Sequence, residues 1–217
     1  MKIKNILIKL IILITNLTSV KTDWEKYDEL KIENINTIEK KDLPEEFSEN
    51  TFEIIDEFIK KTINLNIECL IYFDYKTGEI LKCAIGEING VKIDFKDNEF
   101  DNHHISSIHN HPSSVYSPPS DKNFSILIRE FEDYELIASP NELWILKAKG
   151  TNPKLNIDFK LHSKWLLNSC QEYCRKRYDN FTKASDMCDV MYGIMLSNYI
   201  NDKNINNIQL TKKEYQS

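Results

Sequence analysis

The order of periodicities along this 217-residue chain predicts a mixed α/β domain of the α+β kind, a mixed β-sheet flanked by helices with helical extensions at both ends. Three observations carry that prediction. Short β-rich runs bounded by turn residues fill 67–150, an amphipathic helical pattern precedes them over 48–61, and two longer helical stripes follow Gly150. The domain boundaries expected are therefore 1–47 for an N-terminal helix and linker, 48–150 for the globular domain, and 151–217 for a C-terminal helical extension.

The elements follow in order. Residues 1–20, MKIKNILIKLIILITNLTSV, have the lysines and apolar run of a signal or anchor, but Lys9 interrupts the run and no small-x-small cleavage site follows. The other reading is an amphipathic helix with Lys2, Lys9 and Asn16 on one stripe, and a transmembrane span is only weakly supported. Residues 22–50 are charged and read as linker. Ser48 is placed as N-cap, with Phe52, Ile55, Phe58 and Ile59 on one side of the helix that follows.

IECLIYFDYKTGEILKCAIG reads as a β-hairpin around the Gly78 turn, with Cys69 and Cys83 as core positions. VKIDF from Val91 is expected as a third strand, and HHISSIHNH as the end of a fourth, with Ile105 and Ile108 its apolar positions. Ser120 is expected to cap a helix through Phe124, Leu127, Ile128 and Phe131, after which YELIAS and ELWILKAKG make two more strands. His162, Trp165, Leu166, Cys170 and Cys174 lie on one apolar helical stripe, and Met187, Met191, Met195 and Tyr199 on another. The residues from Asn201 onward are polar and read as frayed.

Composition narrows the function classes. With 34 acidic against 28 basic residues the net charge is −6, a field that repels nucleic acid, and the basic cluster at Arg175, Lys176 and Arg177 reads as a solvated helix face. An odd cysteine count of five reads as reduced thiols and favours a cytoplasmic setting over export. Export would make Asn180 of Asn180-Phe181-Thr182 a possible glycan acceptor.

The chemistry concentrates in IHNHPSSVYSPPSDKNF, beginning at Ile108. Histidines at i and i+2 on an extended strand point the same way, so His109 and His111 can present two imidazoles to one metal ion. Pro112 ends the strand, and the segment at Ser120 brings a third oxygen ligand back, either Asn123 or the nearest true carboxylate, Asp121. Three protein ligands and one open position make the arrangement of catalytic zinc, whose bound water is acidified. Glu68 opens the apolar strand ECLIYF, where a carboxylate is out of place unless paired or functional, and is the candidate proton carrier. His103 and His104 lie upstream on opposite faces, and His162 belongs to the helical stripe; none of the three is assigned to the site.

Glu68, then His109-Asn110-His111-Pro112, then Ser120 resembles the pattern of the JAMM (MPN-plus, or JAB-domain) metalloproteases. HNHPS looks most like its prokaryotic branch, which includes RadC-like proteins and JAB domains associated with phage and toxin systems. The resemblance covers about 50–150 and implies a JAB/MPN-like, cytidine-deaminase-like fold and Zn²⁺ on the two histidines and an aspartate. It also implies Glu68 as general acid/base and Ser120 as a stabiliser of the oxyanion. The implied substrate is a peptide or protein, a ubiquitin-like tail among the candidates. The sequence departs from the pattern where its aspartate is expected, because that position is Asn123. Two functions are thus carried forward: a zinc-dependent peptidase or isopeptidase, and an inactive JAB-like interaction module of a phage-derived or toxin-associated assembly.

Overall fold

A computed structural model describes residues 38–214 apart from 88–90, 92, 96–98, 112–117, 121, 130, 151–152 and 203–207. The N-terminal helix or anchor predicted for the first twenty residues, Pro112 and Asp121 lie outside the described residues. Among those described, no helix is long and apolar enough to cross a membrane.

After a short 3-10 turn at Lys40–Asp42, helix α1 runs over Glu49–Thr62. It starts where predicted, because the Ser48 side chain accepts the Thr51 N–H at 3.1 Å and satisfies one of the donors a helix N-terminus leaves open. Strands β1 (Cys69–Asp74) and β2 (Ile80–Ile85) form the expected antiparallel hairpin. Its turn needs Gly78, at φ +81°, where a Cβ would stand 2.6 Å from the Cβ of Asn50. Strands β3 (Ile105–Asn110), β4 (Glu132–Ala138) and β5 (Glu142–Ala148) follow. Helices α2 (Pro153–Arg177) and α3 (Phe181–Asp202) pack on each other, and β6 (Ile208–Glu214) closes the chain. The result is a mixed α/β fold built on one six-stranded sheet of order β2-β1-β3-β4-β5-β6.

Four expectations fail. The described residues of Val91–Phe95 form no strand; Phe95 instead meets Tyr72 and Phe100 edge to face and Phe131 at a tilt, as a cover over the sheet. The segment after Ser120 is a 3-10 helix, Asn123–Ile128, with no side-chain cap, because the Asn123 side chain bonds back to Ser120 and tightens the turn. Of the residues expected to be frayed, Ile208–Glu214 form β6 instead, which pairs antiparallel with β5 from Glu142↔Glu214 to Ala148↔Ile208. Cys83 is exposed, because β2 is an edge strand with one face open, whereas Cys69, Cys170, Cys174 and Cys188 are buried. All five thiols are free.

One face of the sheet packs on α1 and on the segment ahead of it. Ile55, Phe58, Ile59, Ile71, Phe73, Ile108, Leu136 and Ile145 are buried there with Phe47 and Tyr134, whose rings meet edge to face at 5.0 Å. Each such side chain contributes roughly 1.5–3 kcal/mol on leaving water. The other face carries Leu70, Tyr72, Phe100 and Ile105, and Trp144 against Gly193 of α3.

The pairing of β3 with β4 is parallel, so the chain must cross over between them. That crossover leaves the C-terminal end of β3 and carries the segment that holds Ser120 and Asn123. The ends of parallel strands next to a crossover are where open α/β sheets gather ligand-binding groups.

Candidate metal centre

Register decides which side chains share this end of the sheet. Leu70 lies opposite His109, and Ser107 opposite Glu135, and directly paired residues point to the same face. Two-residue alternation then places Glu68, His109 and Glu135 on one face, the one away from α1. His111 is held just past the strand by its N–H, which donates to Ala138 O at 2.9 Å.

The two histidines meet. His109 Nε2 and His111 Nε2 are 3.1 Å apart, close to the roughly 3.3 Å that two nitrogens on one tetrahedral zinc would show. Burial holds both imidazoles neutral, pushing His109 and His111 down to about 3; the Arg129 charge adds to this at His109, and His109 itself at His111. Neutral imidazole is the form that binds metal.

Asn110, between them, is a structural clamp. Fully buried, it accepts the Cys69 N–H at 2.6 Å and donates to Thr62 O at 3.0 Å and Ile67 O at 3.1 Å. It ties the end of α1 and the start of β1 to β3, and so fixes the position of Glu68 across from the histidines. Glu68 itself is half-buried; desolvation, opposed by Lys122 and reinforced by Glu135, pushes its carboxyl up to about 7. That value suits a group that takes and returns protons near neutrality.

Asn123 is buried beside the pair, and its amide orientation follows from its partners. Its Oδ1 accepts both the Ser120 N–H at 2.7 Å and the Ser120 hydroxyl at 2.8 Å, while its Nδ2 donates to Glu135 Oε1 at 2.7 Å. A backbone N–H can only donate and a carboxylate here accepts, so the oxygen and nitrogen cannot be exchanged. The group facing His109 Nε2, at 3.3 Å, is therefore an NH₂ and not a metal-ligating oxygen. Ser120 Oγ is engaged on the same amide.

The two imidazoles fit a metal half-site, yet among the described residues no group of three or more His, Cys, Asp or Glu side chains converges to hold an ion. Of the predicted site residues, the structure brings together His109, His111, Asn123 and Ser120, with Glu68 on the same face; Asp121 lies outside the described residues. His103 sits elsewhere, 3.3 Å from Asp74, and His162 stacks on Tyr199. Asn180, the possible glycan acceptor, accepts the Lys183 N–H as the N-cap of α3.

Sequence reasoning missed Glu135 and Arg129. Glu135 is 5% exposed; its Oε2 accepts from Arg129 Nη2 at 2.5 Å, and its Oε1 lies 3.7 Å from His109 Nδ1. Arg129 Nε also approaches Glu132 Oε2 within 2.9 Å, an ion-pair distance whose alignment falls short of a hydrogen bond. Glu132 is buried with Ser107 donating to its other oxygen, and burial pushes its carboxyl up to about 8. The signal was present in YELIAS, where Glu135 is a carboxylate within an apolar strand, as Glu68 is one at the start of another.

No family model, curated protein or solved structure matches this chain. The functional reading therefore rests on the motif and on the geometry above.

Proposed function

We propose that the chain is a zinc-dependent metallopeptidase or isopeptidase of the JAMM (MPN-plus, JAB-domain) type. One observation carries the reading: two neutral imidazoles, His109 buried and His111 half-buried, bring their Nε2 atoms to 3.1 Å at the end of β3, on the sheet face that also carries Glu68. His109 and His111 would hold the ion, with an oxygen ligand from the segment before the 3-10 helix, Asp121 being the carboxylate nearest in sequence. Bound there, zinc supplies Lewis acidity to a carbonyl and lowers the pKa of a water molecule. Glu68, poised near neutrality, takes a proton from the attacking water and returns it to the leaving amine nitrogen. Ser120 reaches a substrate oxyanion only by turning its hydroxyl away from Asn123 Oδ1. The substrate is a peptide or protein amide, a ubiquitin-like tail among the candidates, and nucleic acid is disfavoured by the net charge of −6.

A second reading is favoured by a specific observation. The Asn123 NH₂ points at His109 and closes the histidine pair into a metal-free hydrogen-bond network, as an inactive interaction module of a phage-derived or toxin-associated assembly would allow. The experiment that separates the two is hydrolysis of peptide and isopeptide substrates by the zinc-supplemented full chain, with Glu68→Gln as control. The peptidase reading expects turnover that Glu68→Gln reduces at least ~100-fold with zinc content unchanged. No turnover in either protein favours the module, and equal turnover in both removes Glu68 as the proton carrier.

A further inference from the structure

The hydrogen bonds around His109 determine where its ring proton sits. Asn123 Nδ2 is an amide donor fixed by Ser120 and Glu135, and it lies 3.3 Å from His109 Nε2. A donor facing Nε2 requires a lone pair there, so the proton of the neutral ring is on Nδ1. Nδ1 faces Glu135 Oε1 at 3.7 Å, just beyond hydrogen-bond length. His111 Nε2, 3.1 Å from the same lone pair, is then the donor of that contact in the metal-free protein.

Glu135 is the group on which these choices converge. Its Oε1 receives Asn123 and faces His109 Nδ1, and its Oε2 is anchored by Arg129. We propose that Glu135, anchored by Arg129, is a positioning residue of the histidine pair: it holds His109 as the Nδ1–H tautomer, so that Nε2 is presented as a metal-ligating lone pair. A carboxylate behind a ligating imidazole fixes both ring orientation and tautomer, and its loss weakens metal binding by about 10–100-fold. The proposal rests on the reading of His109 and His111 as a metal half-site, but the tautomer is a property of the metal-free chain.

Glu135→Gln is a discriminating substitution because an amide has one acceptor and one donor end. With its oxygen kept on Arg129, the introduced amide would turn its NH₂ toward His109 Nδ1 and drive the ring to the Nε2–H form. The test combines ¹⁵N imidazole NMR on metal-free protein with zinc titration against a chromophoric chelator, on the wild-type chain and Glu135→Gln. We expect His109 as Nδ1–H in the wild type, loss of that state in Glu135→Gln, and about 10–100-fold weaker zinc binding in the variant. The wild-type spectrum needs no variant to fold, and an Nε2–H ring there overturns the proposal. So does zinc binding of equal strength in both proteins, an outcome that leaves the peptidase reading intact. A wild type that takes up no zinc but shows the tautomer shift sinks the peptidase reading and keeps Glu135 as the group that positions His109.

Discussion

The two faces of the sheet bury different kinds of side chain. Against α1 the interior is apolar, with Ile55, Phe73, Ile108 and Leu136 all essentially inaccessible. The opposite face also has an apolar part, around Leu70, Tyr72, Phe100 and Ile105, but along β3 and β4 it buries His109, Asn123, Glu132 and Glu135, with Arg129 between the carboxylates. An apolar face is non-directional and loses stability in proportion to volume removed. A polar face holds only while every donor and acceptor keeps its partner, so removing one group orphans its neighbours. The difference teaches that the α1 face maintains the fold, while the polar cluster set into the other face also maintains a geometry, and Asn110 joins them.

The largest effect belongs to the apolar face. Phe73→Ala is expected to cost about 3–5 kcal/mol in urea unfolding, with zinc affinity of the folded protein unchanged. A change in that affinity would break the separation between the faces. Next comes the shared clamp: Asn110→Ala removes three hydrogen bonds at about 1 kcal/mol each, and it frees the start of β1. Both unfolding free energy and hydrolysis should fall; a loss of stability alone would show that Glu68 is positioned by other contacts. Ser48→Ala touches only the α1 side and should cost about 1 kcal/mol with no change in zinc binding.

The smallest effect is the pH signature of Glu68. Its folded-state carboxyl is raised from 4.5 to about 7, so between those values the folded chain holds a proton that the unfolded chain has released. Stability contributed by this group is therefore full below pH 4.5, falls as pH rises toward 7 and is level above it; partial exposure keeps the change small. Glu68→Gln should flatten that slope in thermal melts from about pH 4.5 to 7.5. Under the proposed peptidase reading, hydrolysis would need the ionised form and should rise through the same region, and a melt that instead gains stability toward neutral pH would contradict the assignment.

Much of the fold was legible because period and punctuation agree. Ser48, the Gly78 turn, and the strands at Ile105–Asn110, Glu132–Ala138 and Glu142–Ala148 all lie where local pattern puts them. The errors came where tertiary contacts override local signal. IQLTKKE looks like a polar tail, yet β5 offers it a paired edge, and VKIDF has strand composition but its Phe95 serves as part of an aromatic cover. In the site, the histidine pair was readable from a spacing of two on a strand. Glu135 was not singled out, since nothing local tells that β4 runs parallel beside β3 and sets Glu135 against Ser107. The direction of the Asn123 amide was likewise invisible, because it is decided by Ser120 and Glu135 together.

The most direct test of the proposed metal centre is zinc content by elemental analysis of the full chain purified without chelator and equilibrated with zinc, beside His109→Ala. The account predicts near-stoichiometric zinc in the wild type and its loss in the variant. Wild-type protein that remains folded and metal-free under those conditions would contradict it.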